Sequence, residues 1–122
     1  MFHALARACA DGFIGASAAG RTERAWRRTY RALDHGRAAK RSAEVFRMGE
    51  ARGFPDAIIR FAEQFEGMMK VRHDADYDPS FRPTKEDAAK QVALARAAIR
   101  ALDGAEPRDR RAFAAFVLFT DR

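Results

Sequence analysis

Arg72-His73-Asp74-Ala75-Asp76-Tyr77-Asp78-Pro79 crowds an arginine, a histidine, three carboxylates and a phenol into eight positions, more chemistry than a plain connection needs. Asp74, Asp76 and Asp78 copy the opening oxygen ligands of a calcium loop, but the register then fails. Pro79 stands where the turn requires glycine, and Lys85 where a bidentate glutamate would close the shell, so no metal is expected there. Metal-free cleavage of a phosphodiester needs a group to take the 2′-hydroxyl proton and a cation to hold the charged phosphorane. A histidine near an arginine supplies both. Two places offer that pairing: Arg72, His73, Asp76 and Tyr77 as candidate catalytic residues, and Arg28 and Arg31 with His35. Each has a purely structural alternative. His35 at a helix C-terminus is favourable without any ligand, and an Arg-Asp pair is a common device at a helix junction.

The elements that must position these groups are helical. Alanine is abundant and β-branched residues are few, which favours helix over sheet. Phe2, Leu5, Cys9, Phe13 and Ala16 recur at helical spacing, and Ala16-Ser17-Ala18-Ala19-Gly20 predicts a turn after them. No N-cap precedes that first stripe, so the first helix is expected to be truncated at its N-terminus. Thr22 and Glu23 suit the start of a second helix, Trp26, Tyr30 and Leu33 its inner stripe, and Gly36 its left-handed end. Arg28, Arg31 and His35 then share its opposite face. A short third helix is expected over 37–46 and a loop over 47–53. The fourth starts at Phe54-Pro55, runs inward through Ile58, Ile59, Ala62, Phe65 and Met69, and ends near Val71, because Pro79 and Pro83 bar regular helix across 74–83. Thr84 and Asp87 form a capping-box-like start to a fifth, whose inner face is Ala88, Val92, Ala95, Ile99 and Leu102. Arg108 to Thr120 is a last short element, helical unless its Phe116-Val117-Leu118-Phe119 run makes an unpartnered strand. The expected fold class is all-α, an up-and-down bundle of four to five helices forming a single domain over 1–122.

With 122 residues and a lone cysteine, Cys9, the chain has no intrachain disulfide, and His3, His35 and His73 show no zinc spacing. No apolar run approaches the roughly 20 residues of a membrane span, and a secretory signal is not evident, so a cytoplasmic protein without membrane or cofactor is expected. The net charge of +6 is local. Residues 21–47 carry nine basic groups against Glu23, Asp34 and Glu44, while the rest of the chain balances. Such a patch is either a solvated face or an attractor of phosphates, with Arg24, Arg27, Arg28, Arg31 and His35 as the candidate nucleic-acid contacts.

Arg72-x-x-x-Asp76-Tyr77-Asp78, preceded by Phe54-Pro55 and an apolar helix, resembles the HEPN-like proteins of bacteria and archaea. Phe2-His3-Ala4-Leu5-Ala6 and the tail from Arg110 to Phe119 extend that resemblance. It implies a HEPN-like bundle, paired as a homodimer, with a polar cleft around Arg72, Asp76 and Tyr77 that contacts RNA or a nucleotide. It further implies a ribonuclease of toxin type, partnered by a nucleotidyltransferase-like antitoxin. The family's ribonucleases place four to six residues between an arginine and a histidine. Four residues beyond Arg72 lead to Tyr77 instead, whereas Arg28 and His35 fit the count in an earlier helix. The alternative is a non-catalytic helical module for dimerisation or protein interaction.

Overall fold

A computed structural model describes residues 1–17 and 20–119. Among the described residues there are six helices and no strand: α1 Phe2–Phe13, α2 Glu23–Ala32, α3 His35–Met48, α4 Asp56–Tyr77, α5 Lys85–Gly104 and α6 Pro107–Leu118. The all-α bundle is as expected, with six helices rather than four to five. The Ala18-Ala19 part of the predicted first turn and the Thr120 end of the last element lie outside the described residues.

α1 packs between α2 and α6, α4 packs between α3 and α5, and α6 also reaches α3 and α4. The core is where these meet. Leu5 and Cys9 of α1, Val45 of α3, Ile58, Phe61 and Phe65 of α4, Leu102 of α5, and Phe113 and Val117 of α6 are all buried. The Phe113 ring meets Phe61 at 5.9 Å and Phe54 at 6.2 Å, both edge-on, the geometry aromatic quadrupoles favour. Burial also pushes the Cys9 thiol up to about 12 from 9.0, because the apolar surroundings penalise its thiolate. Two glycines make the α3–α4 connection possible. Gly53 turns the chain at φ 84°, and a Cβ on Gly49 would lie 2.9 Å from Ile59 Cγ1, besides striking the Val45 carbonyl oxygen.

The local starts follow their residues. Thr84 accepts from the Asp87 amide at 3.0 Å while Asp87 accepts from the Thr84 amide at 3.0 Å, a complete capping box despite the shorter acidic side chain. Pro107 opens α6 at a position where its missing N–H costs nothing. The Phe116–Leu118 run continues that helix, as its inward Phe113, Val117 and Leu118 require.

Three boundaries differ from expectation. α2 stops at Ala32, because Leu33 and Asp34 are extended and Asp34 accepts from the Arg37 amide at 2.9 Å, capping α3. Gly36 therefore lies in the first turn of α3 and not in a left-handed C-cap, and His35 begins α3 rather than ending α2. α4 runs on to Tyr77, six residues past Val71. A proline at 79 constrains only its predecessor, and Asp78 is extended (φ −107°, ψ 105°) as that rule demands. The inward face expected on α5 holds only at its C-terminal end. Leu102 is buried and Ile99 half-buried, whereas Ala88 is exposed and Val92 is 50% exposed; Ala98, outside the expected face, is buried.

Candidate nucleic-acid interface

α2 contributes no buried residue of its own to the core, so its attachment rests on half-buried aromatic and polar contacts. Trp26 donates its indole N–H to Asp11 at 2.9 Å, and the Arg21 guanidinium lies 4.4 Å over the Trp26 ring while pairing with Asp11 and Glu23. One turn further, Tyr30 Oη lies 2.6 Å from His3 Nδ1. These contacts fix one side of α2 against α1 and leave the other to water.

That outer side carries Arg24, Arg27, Arg28 and Arg31, all exposed. Their i, i+3, i+4, i+7 spacing places them in one stripe, about 10 Å long at 1.5 Å per residue. None has a hydrogen bond, ion pair or ring partner among the described residues. The only carboxylate in α2, Glu23, is taken by Arg21. Like charges at these spacings repel by about 0.2–0.5 kcal/mol per pair, so the stripe weakens the helix that bears it.

The rest of the basic segment divides between structure and surface. Arg37 donates to the Leu118 carbonyl at 2.7 Å and Arg41 to the Phe119 carbonyl at 3.1 Å, satisfying acceptors at the end of α6. Arg41 also pairs with Glu44 at 3.0 Å and lies 4.4 Å over Phe116. The local excess of charge seen in sequence thus has a structural part in Arg21, Arg37 and Arg41, and an outward part centred on α2.

His35, the fifth candidate contact, is not on the stripe. It starts α3 and stacks on Phe2 at 3.6 Å with an interplanar angle of 10°. Phe2 also meets His3 edge-on at 5.9 Å, so a chain of ring contacts runs from His35 through Phe2 and His3 to Tyr30. His3 and Tyr30 were not singled out as site residues by sequence. Their bond joins positions 27 apart, and no local spacing announces it. The arginine stripe itself was legible, since i, i+3, i+4, i+7 is a sequence pattern.

The four candidate catalytic residues occupy the last turns of α4 and are exposed. They do not share one face. His73 and Tyr77, four residues apart, are in ring contact at 4.8 Å, whereas Arg72 and Asp76 sit on the neighbouring flank of the helix. Arg72 and Asp76 make no ion pair or hydrogen bond among the described residues. His73 and Asp74 line a shallow groove of about 440 Å³ between α3 and α4, floored by Ala39, Ala43 and Met69 and rimmed by Lys40 and Lys70. Asp78 turns back on Ser80, accepting from its hydroxyl at 2.7 Å and its amide at 2.9 Å, which hold the carboxyl below its ordinary range. Asp87 is held low likewise by the Thr84 amide and hydroxyl. The described residues contain no group of three or more His, Cys, Asp or Glu placed to hold a metal, and no helix long and apolar enough to cross a membrane.

No family model matches this chain, and no curated protein or solved structure does so either.

Proposed function

We propose that this domain binds the phosphate backbone of single-stranded RNA across the outer face of α2. The observation that carries this reading is the stripe Arg24, Arg27, Arg28 and Arg31: four exposed cations on one helix face, each without an acidic partner among the described residues. A helix with no buried residue of its own gains nothing in stability from such a row and loses some to repulsion. Phosphates remove the repulsion, and the guanidinium fork matches their oxygens in pairs. The stripe is long enough to meet more than one phosphate, and contacts of this type read charge rather than base sequence. The resemblance to HEPN-like proteins supports RNA as the polyanion. For any cleavage of the bound strand, Tyr30 of α2, bonded to His3, and His35 at the start of α3 are the titratable side chains on the elements adjoining the stripe.

The test is fluorescence anisotropy of a labelled single-stranded oligoribonucleotide titrated at several salt concentrations. Each phosphate neutralised on a single strand contributes about −0.7 to the slope of log K against log salt, so four contacts give a slope near roughly −2.8. Replacing all four arginines by alanine is expected to remove most of that slope. Binding that survives the four replacements with its slope unchanged, or no binding even at low salt, would sink the proposal.

A further inference from the structure

A cleft of about 740 Å³ lies between the outer face of α1 and the corner where α5 gives way to α6. The sequence itself makes this space. Ala4, Ala8 and Gly12 recur at every fourth residue along the α1 side, and their side chains are too short to fill it. Ile99 of α5 and Pro107 of α6 add apolar wall opposite. The volume falls within the roughly 300–1,000 Å³ of small-molecule sites.

The charges lining the cleft are unevenly engaged. Arg7, Arg110 and Arg111 stand against Asp11 and Asp103, three cations to two carboxylates, a net +1. Asp11 is already occupied, accepting from the Trp26 indole at 2.9 Å and from Arg21 at 3.5 Å. Arg7 approaches Asp11 only to 3.8 Å from a side chain that is 75% exposed, so little of its charge is neutralised. Arg110 is fixed in place. Its Nη1 donates to the Asp103 carbonyl at 2.8 Å and to the Ala105 carbonyl, which leaves Nε and Nη2 without a hydrogen bond among the described residues. Arg111, the next residue, is exposed and has no hydrogen bond, ion pair or ring partner among the described residues. Its stem passes the backbone of Gly12, where an added Cβ would stand 3.6 Å from the Arg111 Cγ.

We propose that this cleft binds a small monocarboxylic acid, its carboxylate on the Arg110 and Arg111 guanidinium groups and its apolar body over Ala4, Ala8 and Ile99. A guanidinium fork matches a carboxylate edge to edge, and Arg110 is held ready by the backbone it caps. The charge count selects a monoanion. Asp11 and Asp103 would repel the second charge that a phosphate carries. The alanine floor adds what a bare ion cannot use, apolar surface to withdraw from water. The cleft shares no residue with the arginine stripe of α2, so this proposal and the RNA reading fail separately.

Isothermal titration calorimetry of the full chain with sodium octanoate tests this, with acetate, octanol and inorganic phosphate as comparison probes. Octanoate is expected to bind at one site per chain, at least tenfold tighter than any of the three. Each of those lacks either the apolar body or the single negative charge. Arg111→Gln keeps most of the stem and removes the charge at an exposed position, so it should fold normally and weaken octanoate at least tenfold. Arg108→Gln removes the same charge from the same helix outside the cleft, and should change octanoate affinity less than twofold. Four results would overturn the proposal: no octanoate binding at millimolar concentration, acetate binding as tightly as octanoate, phosphate binding more tightly, or an octanoate affinity indifferent to Arg111→Gln.

Discussion

The face of α2 and the distal hairpin of α4 and α5, residues 66–97, look alike by exposure and differ in how charge is arranged on them. Both are helical and charged, and neither buries a residue of its own. On α2 the outward charges are of one sign and lack partners, so the face is complete only with something of the opposite sign. On the hairpin both signs are present and balance in total, so no excess of positive charge is left for a polyanion. Net charge therefore says little about a surface until its pattern is known. A row of like charge suits a polyanion, and a balanced surface does not.

That contrast is sharpest if each region is altered while the other's property is measured. The four-arginine replacement on α2 should weaken RNA binding by at least about a hundredfold, nearly 3 kcal/mol at 1.4 kcal/mol per decade, and leave the oligomeric state unchanged. Charge reversals on the hairpin, Lys90→Glu with Arg96→Glu, should leave the salt slope of the RNA contacts unchanged. RNA affinity that falls with the hairpin reversals as much as with the arginine replacements would merge the two regions into one surface.

Stability should distinguish the packed bundle from the hairpin next. Gly49→Ala puts a methyl against Ile59 and the Val45 carbonyl where α3 meets α4, and is expected to destabilise by about 1–3 kcal/mol in a denaturant titration. Gly67→Ala, inside α4 at the hairpin's base, meets nothing within 4 Å and should stabilise by roughly 0.5–1 kcal/mol through helix propensity. Equal effects of the same sign at the two positions would contradict the difference in packing.

The smallest effect belongs to the hairpin's turn. Thr84→Ala removes half of the capping box and should cost about 1 kcal/mol, seen first as faster amide exchange in the opening turn of α5. Hydrogen bonds from Ser80 and Thr84 hold the carboxyls of Asp78 and Asp87 below the ordinary aspartate value of 3.8 in the folded chain. Their contribution is therefore present above that value and is lost as pH falls below it through the lowered folded values. Amide exchange around residues 78–87 should loosen at the acid end of that window while the core around Phe61 and Phe113 still protects its amides. Simultaneous loss in both places would remove the distinction.

Features set by neighbouring residues were legible in the sequence. The Thr84–Asp87 cap and the inner residues Leu5, Cys9, Ile58 and Phe65 follow from caps and spacing that any isolated segment would show. Features that depend on competition or on reach were not. Leu33 fits the end of the α2 stripe, and only the choice of Asp34 as a cap for α3 moves His35 onto a different helix. Val92 has the right period to face inward, but periodicity describes a face and not how far the neighbouring helices extend along it. The Arg72 to Tyr77 segment was expected at a broken junction because of Pro79, yet it stays helical and spreads its candidate residues over two flanks. The His3–Tyr30 bond and the stacking of His35 on Phe2 depend on three helices docking, and no single segment encodes them.

Cys9 gives the bundle a chemical clock. Its thiol is wholly covered among α1's inner residues, and so little of it is thiolate near neutral pH that an alkylating reagent must wait for the core to open. Because it is the chain's one sulfhydryl, each labelling event reports the same opening, and the rate of mass gain measures how often the helices part. The hairpin can fray without exposing this group, so the clock runs on the core alone.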